Sequence, residues 1–453
     1  MVLDYGNMMA RCIGSNGLKN VEYSRFAYEM VVSSLGKGWQ QWSELVGEGE
    51  LDEIISFCDP IRTTAHSVVV LGIGGSALGT LAISNALMHL RHKELPEEKR
   101  KAPKFYVEDN IDPERMESLF DVIDVGKSYF IVITKSGETG ETLSQFLMMY
   151  AKLSARLGEK AREHVIAVTT IGKGTLYDIA SAEGFKIFGI KEGIGGRFSV
   201  FSPVGLVPLA CVGVDIKGII SGAAKAKEYC LLPRIDENPA LMMAALNTSA
   251  YKKGRNISVI MPYADSLRFM ADFYAQLWGE SLGKKYDLLG NTVNVGQTPV
   301  KAVGVTDQHS QIQLYTEGPL DKVITFLTVG QFRNVSVIPN DKRIEGADFL
   351  KGHTLNELVN AEYFATAFAL KKAGRMNMTL EISRVTPQTI GELVTVLMYQ
   401  TAFAGAMLNV NTYDQPGVEE GKIATFAMMG RKGYEDKYKE ITAKNGEYKI
   451  VRD

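Results

Sequence analysis

Four hydroxyls, one lysine and two glycines crowd into nine residues, Thr134–Thr142 (TKSGETGET). The hydroxyls belong to Thr134, Ser136, Thr139 and Thr142, the amine to Lys135, and the glycines are Gly137 and Gly140. The run before them, Tyr129–Ile133, is β-branched and aromatic and predicts a buried strand. Leu143, Phe146 and Leu147 follow at helical spacing. A strand, a hydroxyl-rich loop and a helix start together make an anion site. Free backbone N–H groups and the positive end of the helix dipole face such a loop. A phosphate fits there. A helix cap alone uses one or two hydroxyls, and this loop holds more. Glu138 opposes an anion unless its side chain turns away.

Other residues suggest further parts of a site. Gly72-Ile-Gly-Gly-Ser-Ala-Leu-Gly79 follows the apolar run His66–Leu71. No lysine follows these glycines, so the turn is not a Walker loop. Ser76 within it is a candidate phosphate or sugar ligand. Gly72, Gly74 and Ala77 also fit a loose dinucleotide pattern, with Glu108 and Asp109 as the acidic partner at the end of the next strand. A purely structural glycine turn is a third reading. Gly193-Ile-Gly-Gly-Arg197 places glycines beside an arginine, so the backbone can approach a ligand and aim a guanidinium at it. The plain alternative is a hinge with a solvated arginine.

Helix spacing over about 266–282 puts Phe269, Phe273 and Leu277 on one stripe, and Glu280 continues it one turn after Gln276. Desolvation and the negative end of the helix would raise the pKa of this carboxyl, as a general base near neutrality requires. A surface pair with Lys284 is the alternative. His309, in Thr306-Asp-Gln-His-Ser, is expected on a polar loop after a strand at 301–305. Pro416 suits a helix start, which puts Lys422 in an early helical turn where the dipole does not favour it.

The elements that must carry these residues alternate. Strands are expected at 66–71, 104–107, 129–133, 165–168 and 185–190, and again at 257–261, 301–305, 323–329, 335–338 and 376–382, with helices between. This is an α/β chain with two parallel sheets of about five strands, each flanked by helices. Ligands sit beyond the carboxyl ends of strands in such sheets. Residues 1–60 read as a helical segment, 61–210 as a first domain, 211–430 as a second and 431–453 as a charged tail.

The chain has 453 residues, enough for two such domains. Its net charge of −2 gives no electrostatic case for nucleic acid or an anionic membrane. The longest uncharged run, 198–214, is short for a membrane helix and contains Pro203 and Pro208, so it is expected to be a buried helix. Met1–Arg11 lacks the apolar core of a signal peptide. Four scattered cysteines suit free thiols in a reducing cytoplasm. Six scattered histidines show no metal-ligand spacing, so no metal site is expected.

In order along the chain, GIGGSALG, ITKSGETGET, GGRFSVFSPVG, QLWGES, DQHSQ and YDQPGVEEGK resemble phosphoglucose isomerases of the bacterial type, over about Ser67 to Lys422. The resemblance implies two sugar-isomerase domains, a homodimer with a shared active site and no cofactor. It implies interconversion of glucose 6-phosphate and fructose 6-phosphate, in glycolysis and gluconeogenesis. By the same resemblance Ser76, Thr134, Ser136 and Thr139 hold the phosphate, with Lys135 in that loop. Arg197, beside Gly196, stabilises the enediolate and Glu280 moves the proton. His309, from the partner subunit, and Lys422 serve ring opening. Gln276 and Gln415 contact the sugar. Glu138 and Gly140 stand where many relatives carry threonines. Two rivals remain at this stage. A sugar-phosphate-binding regulator would not need Glu280, His309 and Lys422 together. A nicotinamide-dependent dehydrogenase would use Gly72–Ala77.

Overall fold

Twelve stretches form strands in the computed structural model, which describes residues 1–443 and Ile450. They are β1 (Val2–Asp4), β2 (Ser67–Leu71), β3 (Lys104–Glu108), β4 (Ser128–Ile133), β5 (Val165–Thr169), β6 (Lys186–Gly189), β7 (Ile257–Pro262), β8 (Lys284–Tyr286), β9 (Thr292–Val295), β10 (Thr298–Lys301), β11 (Lys322–Gln331) and β12 (Asn377–Arg384). The chain divides into two compact units, Met1–Thr412 and Tyr413–Asp453. All the strands lie in the first.

The first sheet is wholly parallel, in the order β3-β2-β4-β5-β6. Every residue of β2 and β5 is buried, as expected of parallel strands covered on both faces. Val69, Leu71, Phe130 and Val132 meet Phe146, Met149 and Leu153 of the helix Gly140–Leu157. Each such side chain contributes about 1.5–3 kcal/mol relative to exposure. The order reverses direction between β2 and β4. The chain passes from β2 to β3 on one side, then crosses to β4 on the other. Ligands bind at such a reversal, beyond the strand carboxyl ends.

The second sheet has the order β1-β12-β11-β7-β10. β7, β10, β11 and β12 are parallel, and β1 joins antiparallel through Val2–Glu381, Leu3–Leu380 and Asp4–Thr379. The first strand of the chain thus completes the second sheet, and the segment expected to be helical begins with a strand. Its length of three residues explains why periodicity did not reveal it. The helix Pro387–Met407 is long and apolar enough to span a membrane, but 89% of its apolar window is buried inside the protein. It packs between Ile216–Cys230 and Pro239–Lys252 as a core helix.

Three further expectations need correction. The strand expected at 301–305 is Thr298–Lys301. Beyond it the Val303 N–H turns to the Asp307 carboxylate, at 2.7 Å, instead of a neighbouring strand. Residues 335–338 form no strand and make one isolated bridge, Val337 to Thr354. Val335 and Val337 are 71% and 65% exposed, so an apolar run without a partner strand was over-read. The uncharged run 198–214 is helical only over Pro203–Cys211, where every residue is buried.

The second unit contains a turn, Pro416–Val418, and helices Glu419–Met428 and Glu435–Thr442. Phe426 meets Tyr434 edge-on at 5.7 Å, Arg431 lies over the Phe426 ring, and Lys437 pairs with Glu420 and Glu440. Within the expected charged tail, residues 444–449 and 451–453 lie outside the described residues.

Candidate active site

The loops after β2 and β4 leave adjacent strands at the reversal point of the first sheet. Thr139 stands at the N-cap of Gly140–Leu157 but makes no cap hydrogen bond. Its hydroxyl is 2.7 Å from that of Thr134, which in turn lies 3.4 Å from that of Ser136. The hydroxyls therefore gather on one another and leave the helix start without a side-chain cap, which opposes the simple capping reading. Thr169 and Thr170 hold the loop through the carbonyls of Thr134 and Lys135, at 2.7 and 2.9 Å. Gly137 and Gly174 both have positive φ, and their backbones touch. A side chain at either position would collide with the other turn. Glu138 is exposed.

Thr142 does not join this cluster. It is fully buried on the face that carries Gln145, Phe146 and Met149, and its hydroxyl has no hydrogen-bond partner. Its position in the first turn faces the core, so one of the four hydroxyls that suggested an anion site is structural.

Ser76 ends the short turn Gly74–Ser76 after β2 and is half-buried. Gly75 lies against Gly196: a Cβ on Gly75 would come within 2.2 Å of the Gly196 carbonyl carbon. This glycine turn thus receives the arginine loop. Arg197 is the centre of that loop, and its side chain is 2% exposed. Its Nε donates to Ser281 Oγ at 2.7 Å, its Nη1 to Glu280 Oε2 at 3.1 Å and its Nη2 to the Thr412 carbonyl at 2.5 Å. The planar guanidinium suits such a fork of acceptors. Gln276 Nε2 donates to the other Glu280 oxygen at 2.9 Å.

Phe273 and Leu277 are buried as the stripe required, but the Glu280 side chain remains 34% exposed. The stripe leaves the core at the last turn of Arg268–Leu282, and the carboxylate opens to solvent. Lys284 donates to the Glu280 backbone carbonyl at 2.8 Å.

Four residues stand differently from the hydroxyl and arginine groups. Lys135 sends its ammonium to the Ile194 carbonyl at 2.6 Å and over the Trp39 ring at 4.2 Å. Burial lowers its pKa. His309 is exposed in the first turn of the helix Thr306–Glu317, not on a loop, and shares none of the hydrogen bonds around Arg197. Gln415 and Lys422 belong to the second unit. There Lys422 lies in the first turn of Glu419–Met428 and pairs with Glu419 at 2.8 Å.

The family described as phosphoglucose isomerase matches residues 53–440. The chain belongs to the phosphoglucose isomerase family. A glucose-6-phosphate isomerase of Carboxydothermus hydrogenoformans is 52% identical over 395 residues, covering 87% of this chain and 85% of that one. One from Thermus thermophilus is 38% identical over 357 residues, covering 79% and 82%. Among solved structures, a Thermus thermophilus protein described as hypothetical superposes with a TM-score of 0.81 at 36% identity, covering 89% of this chain and 94% of that one. A Chlamydia trachomatis glucose-6-phosphate isomerase shares the fold, with a TM-score of 0.74 at 22% identity over 92% and 81% of the two chains.

The acidic residues that a dinucleotide would use are engaged in ion pairs. Arg115 forms ion pairs with Glu108 at 2.6 Å and Asp109 at 2.7 Å. The sequence reading passed over Ser281, the Thr412 carbonyl and Trp39. Ser281 follows Glu280 within QLWGES, and that adjacency was its only signal. No periodicity could reveal a contact across 215 residues, such as Arg197 to Thr412.

Proposed function

We propose that this protein interconverts glucose 6-phosphate and fructose 6-phosphate. The observation that carries the reading is the buried Arg197 guanidinium held 3.1 Å from the Glu280 carboxylate. One group can accept a proton, and the other can neutralise the negative oxygen formed when that proton leaves carbon. The sugar phosphate is anchored by Thr134, Ser136, Thr139 and Ser76 at the uncapped helix start. His309 and Lys422 open the ring. Glu280 removes the proton from carbon 2, and the electron pair forms the carbon–carbon double bond of an enediolate. Arg197 faces the resulting oxyanion. The carbon 2 hydroxyl proton passes to the carbon 1 oxygen, and Glu280 returns its proton to carbon 1, leaving a hydroxyl on carbon 1 and the ketone at carbon 2. Gln276 and Gln415 orient the sugar. Only a proton passes between the carbons, so no hydride donor is needed.

The enzyme acts as a homodimer, with His309 supplied by the partner subunit. The exposure of His309, and of Phe364 and Phe368 at 67% and 65% on the helix Leu355–Lys372, supports a partner surface. Four free thiols support a cytoplasmic location. Residues 61–210 and 211–430 are the two sugar-isomerase domains, a division supported by the five-stranded sheet β3-β2-β4-β5-β6 in the first and the four parallel strands β7, β10, β11 and β12 in the second.

The test is a coupled assay of glucose 6-phosphate formation from fructose 6-phosphate, with carbon 2 hydrogen exchange followed by proton NMR in deuterated water. Wild-type protein should turn over, and Glu280→Gln should lose exchange by about 10² to 10⁴-fold. Exchange at the wild-type rate in Glu280→Gln would place the base elsewhere.

A further inference from the structure

Lys135 sits among the phosphate-loop residues, but its ammonium does not join their hydroxyls. It reaches across to the carbonyl of Ile194, at 2.6 Å, three residues before Arg197. Its other neighbour is the Trp39 ring, 4.2 Å away. These contacts lie at a cavity of about 550 Å³ lined by Gly38, Trp39, Gln41, Lys135, Lys173 and Glu192, with Thr170 and Gly193. Neither Thr134, Ser136 nor Thr139 lines it.

Three chain segments meet at Lys135. The phosphate loop carries it, and Thr170 fixes its carbonyl at 2.9 Å. The arginine loop accepts its hydrogen bond. The N-terminal segment contributes Trp39, and Gln40 bridges Ile194 in antiparallel fashion. Gly193 packs so closely on Gly38 that a Cβ there would lie 2.0 Å from the Gly38 carbonyl oxygen. Ile194 itself is 5% exposed. Beyond it Gly196 rests on Gly75, and Arg197 is locked onto Ser281, Glu280 and Thr412. A displacement of Ile194 therefore has a short, well-packed route to Arg197.

We propose that Lys135 is a positioning residue that ties the phosphate loop to the Gly193–Arg197 segment, so that the anchoring loop and the enediolate-stabilising arginine hold one mutual geometry. This rests on the isomerase reading above. A misplaced charge costs most in the transition state, where the oxyanion develops, and least in ground-state binding. A direct phosphate ligand would show the opposite pattern, because its loss weakens every phosphate-bearing molecule equally.

The experiment compares wild type with Lys135→Met, Lys135→Arg and Trp39→Ala. The readouts are kcat, KM, competitive inhibition by inorganic phosphate, and calorimetric titration with inorganic phosphate. Methionine keeps the length of the side chain and removes its donor. Lys135→Met should lower kcat about 10-fold or more, as expected when a reacting group is misplaced, with phosphate affinity near wild type. Arginine can still donate to Ile194 and stack on Trp39, so Lys135→Arg should recover most of kcat. Trp39→Ala should lower kcat in the same direction, and its effect should not add to that of Lys135→Met, because both break one contact. A loss of phosphate affinity in Lys135→Met with kcat preserved would overturn the proposal and make Lys135 a phosphate ligand. Wild-type kinetics in Lys135→Met would overturn it as well. If Lys135→Met fails to fold, Trp39→Ala carries the kinetic arm. Wild-type turnover is measured first. Its absence would remove the isomerase reading, and calorimetry would still decide whether Lys135 binds phosphate or only braces the loop.

Discussion

Arg197 donates from three nitrogens to three separate groups: a hydroxyl, a carboxylate and a backbone carbonyl. A buried cation is costly unless its donors are matched, and here the planar fork is spread across Ser281, Glu280 and Thr412. In the proposed mechanism the same arrangement would hold the charge ready, so that little reorganisation is needed when the enediolate forms. A lysine keeps the charge but cannot span the three acceptors. Arg197→Lys should lower kcat by about 10² to 10³-fold, with KM changed only a few-fold, when an oxyanion stabiliser is lost. Steady-state kinetics with fructose 6-phosphate would measure it. A large rise in KM at constant kcat would instead assign Arg197 to ground-state binding.

The helix Gly140–Leu157 shows why an element matters more than its composition. Thr142 and Thr139 lie one turn apart at its start, yet one faces the core and the other faces Thr134. The hydroxyls that gather at the helix start are therefore those of Thr134, Ser136 and Thr139, and Thr142 is not among them. Replacing Ser136 and Thr139 together by alanine should raise KM for the sugar phosphate by about 10- to 100-fold, as the loss of hydrogen bonds to a charged group implies. Thr142→Val, at an unpartnered buried hydroxyl, should leave KM unchanged. Equal effects in both variants would show that folding, and not phosphate contact, accounts for the loss. The glycines of the neighbouring turn act at the same scale. Gly75 is small because Gly196 must pass beside it on the way to Arg197.

At the scale of the molecule, one chain holds Glu280 and Arg197 together and leaves His309 exposed on another helix. Next to that helix, Phe364 and Phe368 present an apolar surface one turn apart. Exposed apolar patches of this kind mark interaction surfaces. If His309 serves a neighbouring site, two inactive proteins should complement each other. Glu280→Gln and His309→Ala subunits, mixed and allowed to exchange, form hybrid dimers with one site intact. Random pairing in a twofold dimer predicts recovery of about a quarter of wild-type activity. The coupled assay on the mixture measures it. No recovery, with hybrids demonstrated by mass spectrometry, would argue that each subunit uses its own histidine.

Local physics determined much of this protein in advance. Strongly apolar, β-branched runs bury as parallel strands where a neighbouring strand is there to pair with them, and nine of the ten expected strands correspond to observed ones, although one was displaced. The run at 335–338, without such a partner, leaves Val335 and Val337 exposed. Glycine residues after β2 and β4 announced their loops because tight turns and close backbone approach need that residue type. The reach of β1 across to β12, by contrast, required the fold, since a three-residue strand carries no period of its own. The exposure of Glu280 also required it: helical spacing gives the face of a residue but not where the covering core ends. So did the direction of Lys135. Its neighbours in sequence are Thr134 and Ser136 of the hydroxyl-rich loop, while its neighbours in space are Ile194 and Trp39. A long, flexible side chain goes where packing from distant segments leaves an acceptor, and only the tertiary structure brings those segments together.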